Sequence, residues 1–118
     1  MNLKVAVASV ILLTSPAYAR NPNFHLWNNT DRTIVAVWLS TANDRTWHGV
    51  SGDQIAPQGA DYISFQEPDN VPCDGVQLKV KFADGQTPAF MDGFNICTIS
   101  NIVVEWNNSD GEFEAIYK

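Results

Sequence analysis

The stretch Val76 to Phe82, VQLKVKF, alternates without a break. Val76, Leu78, Val80 and Phe82 are apolar, and Gln77, Lys79 and Lys81 are polar. A period of two puts each set on its own face of an extended strand, whereas a helix would need a repeat near 3.6. One wet face also implies an antiparallel sheet, because parallel strands are covered on both sides. The alternation then runs into Asp84-Gly85, so VKFADGQTPAF reads as two strands around one turn. Gly accepts a positive φ there, and Asp accepts local backbone hydrogen bonds. Asp74-Gly75, Asp92-Gly93 and Asp110-Gly111 repeat this chemistry and are read as further turns.

The rest of the chain keeps the same period. Phe24, Leu26 and Asn28 alternate with His25 and Trp27. Ile34 to Ser40 is β-branched and aromatic and apolar on both faces, which suits a central strand. Tyr62 to Phe65, Thr87 to Phe94, Asn101 to Trp106 and Glu112 to Lys118 complete the set. About seven short strands with regular turn signals predict an all-β, antiparallel β-sandwich, immunoglobulin-like or similar. Thr41 to Gly59 reads as one long irregular loop, a length that in a small domain often serves function. The Asn28-Asn29-Thr30 and Asn107-Asn108-Ser109 sequons read as turn residues.

The first residues are expected to stand apart from this pattern. Lys4 precedes a nearly unbroken apolar run, Val5 to Leu13, and Ala17-Tyr18-Ala19 offers small residues at a cleavage site. This predicts a signal peptide over residues 1–19 and a single β-sandwich domain over 20–118. The run is about half of the roughly 20 residues a membrane helix needs, so no stable membrane insertion is expected after cleavage. The mature chain would have 118 − 19 = 99 residues, with 6 basic against 13 acidic ones, a net charge of −7. Such a surface repels phosphate backbones, which excludes nucleic acid as a partner. A periplasmic or secreted location follows.

Cys73 and Cys97 are the two cysteines, and an exported chain with one pair joins them as a disulfide. Neither a C-x-x-C redox motif nor zinc-ligand spacing is present. The aspartates Asp44, Asp53, Asp84 and Asp92 would bind calcium if their loops met at one end of the sandwich. No calcium-loop run with its closing Glu accompanies them, so no metal and no cofactor is expected. His48 near Asp44 and Asp53 could act as a general base for Ser40 or Ser51. No G-x-S-x-G supports that chemistry. Trp38 and Trp106 lie within strand patterns and are expected in the core. Arg45, Trp47 and His48 are the candidate binding residues, because a loop Trp can stack on a sugar or anchor a partner.

The order F-x-L-x-N-x-T, I-x-x-V-W-L-S, a short polar loop with Trp, I-A-P-Q-G, I-S-F, C, L-K-V-K-F-A-D-G, N-I-C and I-V-V-E-W runs from Phe24 to Trp106. It resembles a group of small exported proteins of Gram-negative bacteria whose function is uncharacterised. Some of them carry the label argininosuccinate lyase, a large helical tetramer that a β-patterned chain of this size cannot form. The group often has acidic residues directly after the loop Trp, whereas here His48-Gly49 follow Trp47 and the next acid is Asp53. The resemblance implies a secreted β-domain with a disulfide, and it supplies no catalytic residue.

The sequence thus points to a non-catalytic binding or interaction module using the Thr41 to Gly59 loop. Its partner would be an envelope protein or a small ligand. The alternatives are a small hydrolase using His48 with Asp44 or Asp53, and a calcium-dependent sugar-binding domain.

Overall fold

A computed structural model of the chain describes residues 18–19, 22–50, 52–65 and 71–118. Apart from Tyr18 and Ala19, the expected leader lies outside the described residues. These form ten strands: β1 (Tyr18–Ala19), β2 (Asn23–Asn29), β3 (Ile34–Thr41), β4 (Asp44–Val50), β5 (Ala60–Ser64), β6 (Val71–Pro72), β7 (Val76–Phe82), β8 (Ala89–Phe94), β9 (Asn101–Asn107) and β10 (Glu112–Tyr117). The seven expected strands are all present, and β1, β4 and β6 add to them. One four-stranded sheet has the order β10-β9-β2-β5 and the other β4-β3-β7-β8, while β1 pairs with β6 alone. The two large sheets pack as a β-sandwich. Every pairing is antiparallel except β2 with β9, which run parallel.

The core lies between the large sheets and follows the alternation. Phe24, Leu26, Ile102 and Val104 face Leu39, Leu78, Val80 and Phe82, and all eight are buried. Each such side chain contributes roughly 1.5–3 kcal/mol through removal from water.

Three local features depart from the sequence reading. β3 is not apolar on two covered faces. Its register against β7 shifts between Ile34 and Ala36, so a β-bulge there lets Ile34, Val37 and Leu39 all point inward. Trp38 then points outward and is half-exposed rather than core. The Thr41 to Gly59 segment is not one loop, since it contains β4, and Ile55 bridges Ile34. Asp92-Gly93 is not a turn but lies within β8, where the register against β7 shifts. Gly93 has φ +77° there, and a Cβ would approach Gly75 Cα to 3.3 Å. Glycine alone suits that crowded, left-handed position. Asp74-Gly75, Asp84-Gly85 and Asp110-Gly111 lie in the expected connections, with positive φ at each glycine.

The Cys73–Cys97 disulfide forms, with Cα atoms 5.3 Å apart. Cys73 precedes β7 and Cys97 follows β8, so the bridge closes the open end of the β7–β8 hairpin. The Ile96 N–H donates to the Cys73 carbonyl at 2.9 Å beside it.

Along the side of the sandwich formed by β8 and β10, Tyr117 stacks on Phe94 with ring centroids 4.6 Å apart. Its hydroxyl is buried and without a hydrogen-bond partner among the described residues. Burial pushes the phenol pKa up to about 12, and the Asp92 carboxylate adds to the rise.

Two outcomes follow. The double substitution Cys73→Ser with Cys97→Ser should lower unfolding free energy by about 3 kcal/mol for a loop of this length, read from urea titration; an unchanged midpoint would contradict a structural role. A phenol whose folded pKa lies above its unfolded value of about 10 favours folding fully below that pH and loses the contribution as pH rises toward 12. Tyr117→Phe should therefore match or exceed the parent at neutral pH and lose less stability on alkaline titration. Parallel alkaline curves for the two proteins would exclude this account.

Candidate functional site

The candidate loop residues do not all share one face. Successive residues of a strand point to opposite faces, and β4 separates them accordingly. His48 pairs across the sheet with inward-facing Leu39, and its ring lies 6.3 Å from that of Phe65. Trp47 points outward, half-buried, with Lys79 Nζ 4.7 Å from its ring centroid. Arg45 reaches elsewhere again, donating to the Gly75 carbonyl at 2.7 Å. Trp47 and His48 therefore lie on opposite faces, and Arg45 is engaged by the Gly75 carbonyl.

One pairing expected from the sequence does form. His48 Nε2 lies 3.0 Å from Asp44 Oδ2. The Thr46 N–H donates to Asp44 Oδ1 at 3.0 Å, and together with His48 it holds the Asp44 carboxyl below the usual carboxylate range. Ser40 is fully buried on the face opposite His48, bonded to Gln77 Oε1 at 3.2 Å, so it is not a nucleophile for this pair. Ser51 lies outside the described residues. Asp53 sits beyond β4 and takes no part in the His48–Asp44 bond.

The four aspartates divide between the two ends of the sandwich. β3 runs from Ile34, opposite Phe82, to Thr41, opposite Asp44, a span of roughly 23 Å at 3.3 Å per residue. Asp84 and Asp53 lie toward the Ile34 end, while Asp44 and Asp92 lie toward the other. Among the described residues no group of three or more His, Cys, Asp or Glu side chains is placed to hold a metal ion.

A concavity lies at the Ile34 end, and the sequence reading passed over it. It is a cleft of about 510 Å³, with Asn29, Asp31, Arg32, Gln58, Trp106 and Phe113 among its lining residues. Its foundation is Asn28, which takes an inward strand position and is fully buried. Asn28 Nδ2 donates to the carbonyls of Arg32 at 2.8 Å and Ile55 at 2.9 Å. Asn28 Oδ1 accepts from the Thr30 hydroxyl at 2.6 Å. Its backbone binds Gln58 and Gly59. One side chain thus ties the β2–β3 loop to the 55–59 segment, adding a second donor to the Ile55 carbonyl, which also accepts from the Ile34 N–H at 3.0 Å, and to the Arg32 carbonyl, which also accepts from the Thr30 hydroxyl at 3.0 Å. The sequon at Asn28 is spent on these bonds. Gln58, held at φ +65°, donates from Nε2 to the Thr30 carbonyl at 3.3 Å.

Arg32 is fixed as firmly. Nη1 donates to Asp84 Oδ2 at 2.8 Å and Gln86 Oε1 at 3.0 Å, and Nε to Asp31 Oδ1 at 3.2 Å. Its guanidinium lies 5.2 Å over the Phe113 ring. Phe113 packs inward on Phe82 at 4.5 Å and meets Trp106 edge-on at 4.9 Å. Trp106 was expected in the core and is instead 43% exposed. It continues the inward set of Ile102 and Val104, but it stands past the last covered position of β9, at the cleft wall. The Asn107-Asn108 turn directly after it was the sequence signal that its strand ends there.

A flat aromatic surface lies on the outer face of the β10-β9-β2-β5 sheet. Trp27 and Tyr62 are 43% and 53% exposed. Trp27 Nε1 donates to Asn101 Oδ1 at 2.8 Å, and the His25 and Tyr62 rings are 5.0 Å apart.

No family model and no curated protein matches the chain. An NMR structure of a protein from Eubacterium rectale is similar in fold, with TM-score 0.57 and 7% identity over 80% of this chain and 85% of that one. That likeness concerns the fold alone. Among the described residues no helix is long and apolar enough to cross a membrane.

Asn28→Leu keeps bulk but removes the amide donor shared by the Arg32 and Ile55 carbonyls and the acceptor of the Thr30 hydroxyl. A loss of roughly 0.5–1.5 kcal/mol per lost hydrogen bond is expected, with the Trp106 indole signal shifting in NMR spectra. A variant as stable as the parent, with Trp106 unmoved, would show that Asn28 does not organise the cleft.

Proposed function

We propose that this protein is a non-catalytic binding module that takes a neutral saccharide in the Trp106 cleft. The carrying observation is an exposed indole, set edge-on to Phe113, at the wall of a cleft otherwise lined by amides, carboxylates and one guanidinium. A pyranose ring has an apolar C–H face and a rim of hydroxyls. The first suits an aromatic face, and the second suits planar polar groups that bond two hydroxyls at once. Arg32 is already matched by Asp84 and Asp31, and Glu105 also lines the cleft, so the site does not favour an anionic sugar. The rigid loop network limits the ordering cost on binding.

In this reading the chain is an exported protein. The leader expected over residues 1–19 supports export, and the disulfide suits an oxidising compartment such as the periplasm or the exterior. The resemblance to a group of small exported Gram-negative proteins agrees with that location. The Asp44–His48 pair favours a hydrolase only if a nucleophile reaches it, and Ser40 does not. An envelope protein anchored on Trp47 is less well supported, because that indole is half-buried against Lys79.

Titration calorimetry against neutral oligosaccharides of differing linkage tests the proposal. At least one should bind saturably, and Trp106→Ala should weaken it about tenfold or more, equivalent to about 1.4 kcal/mol, while the variant keeps the parent's melting temperature. Trp27→Ala, on the flat outer face, should leave affinity unchanged. Absence of binding across the panel, or equal affinity in the Trp106 variant, would refute it.

A further inference from the structure

The outer face of the β4-β3-β7-β8 sheet holds a feature unconnected with the cleft. Lys79 lies directly opposite Trp38 across the β3–β7 pair. Its Nζ sits 4.7 Å from the Trp38 ring centroid and 4.7 Å from that of Trp47. Two indoles from neighbouring strands thus direct their rings at one cation. Gly49 faces Trp38 from β4 and places no side chain beside the pair, although a Cβ there would lie at ordinary contact distance, 3.8 Å, from Trp38 Cδ1 and Nε1. Beside Trp38 opens a hollow of about 260 Å³, lined by Val35, Ala36, Gly49, Gly52 and Asp53.

The aromatic faces attract any cation through their quadrupole. Lys79 is a costly occupant, because ordering its long stem gives up rotamer freedom of the same order as two partly exposed cation–π contacts return. It is therefore displaceable. A quaternary ammonium suits the same place better. Its charge is spread over methyl groups that touch both rings, and it sheds water more readily than a primary ammonium. The hollow has room for the remainder of such a molecule, and the Asp53 carboxylate on its wall supplies the opposite charge.

We propose that Trp38 and Trp47 form a cage for a trimethylammonium group, with Lys79 as the resident plug that the ligand displaces. The group can come from a free small molecule or from the choline headgroup of a lipid.

Choline chloride is titrated into the full chain at constant ionic strength, balanced with sodium chloride, while the tryptophan indole N–H signals are followed by NMR. The Trp38 and Trp47 signals should shift saturably. Lys79→Ala should bind choline at least about threefold more tightly, and Trp47→Ala should lose saturation while keeping the parent's melting temperature. Ethanolamine, a primary ammonium of similar size, should bind more weakly than choline. Shifts that stay linear in choline, or saturation retained in Trp47→Ala, overturn the cage. Equal affinity in parent and Lys79→Ala overturns the plug. Co-sedimentation with phosphatidylcholine vesicles, but not phosphatidylglycerol vesicles, would identify the headgroup as the source; saturable choline binding without co-sedimentation identifies the free molecule.

Discussion

The Ile34 end of this sandwich depends on a buried amide. Asn28 stands where the alternation of β2 demands an inward side chain, and there an apolar residue would remove the amide link between the Arg32 and Ile55 carbonyls and the acceptor of the Thr30 hydroxyl. A buried polar group is stable only when fully bonded. Asn28 meets that condition by taking the Arg32 and Ile55 carbonyls and the Thr30 hydroxyl together. The β2–β3 loop and the 55–59 segment are thereby fixed to the end of the core. Arg32, Asp31, Gln58 and Thr30 follow from that one arrangement.

From there the cleft is extended by a chain of rings. Phe82 belongs to the core, Phe113 lies against it, and Trp106 lies against Phe113. The guanidinium of Arg32 covers Phe113 and is held by Asp84 from the β7–β8 turn. Parts of three connections and one strand terminus are thus locked to each other without a metal-type cluster among the described residues. On the outer face of the other sheet, the bulge in β3 decides which residues face solvent. It turns Trp38 outward to meet Lys79, and β4 brings Trp47 to the same ammonium.

Much of the fold was legible because the side-chain period is local. VQLKVKF and its Asp84-Gly85 turn gave a hairpin, and the structure forms it. The cysteine pair was equally plain. The bulge at Ile34 to Ala36 was not, because a run of apolar residues does not say where the alternation slips. β4 was hidden for a related reason: DRTWHGV lies at a sheet edge with little buried surface, so its residues carry no apolar rhythm. The candidate site was less legible still. Trp47 and His48 are neighbours in sequence, but a strand places them on opposite faces. Trp106, Arg32 and Gln58 are far apart in sequence, and only tertiary structure brings them to one cleft.

The parallel pairing of β2 with β9 has a further consequence, for the order of assembly. β2 is an interior strand of its sheet, and His25 pairs with Asn101, 101 − 25 = 76 positions later. A chain that emerges with its N-terminus first must leave one edge of β2 unsatisfied until most of the remaining residues have followed. Non-local pairing of this kind slows folding and prolongs the time in which an apolar strand edge is open to other chains. The β7–β8 hairpin, by contrast, is local and can close early. Its disulfide would then hold one half of the sandwich ready while β9 arrives to complete the other.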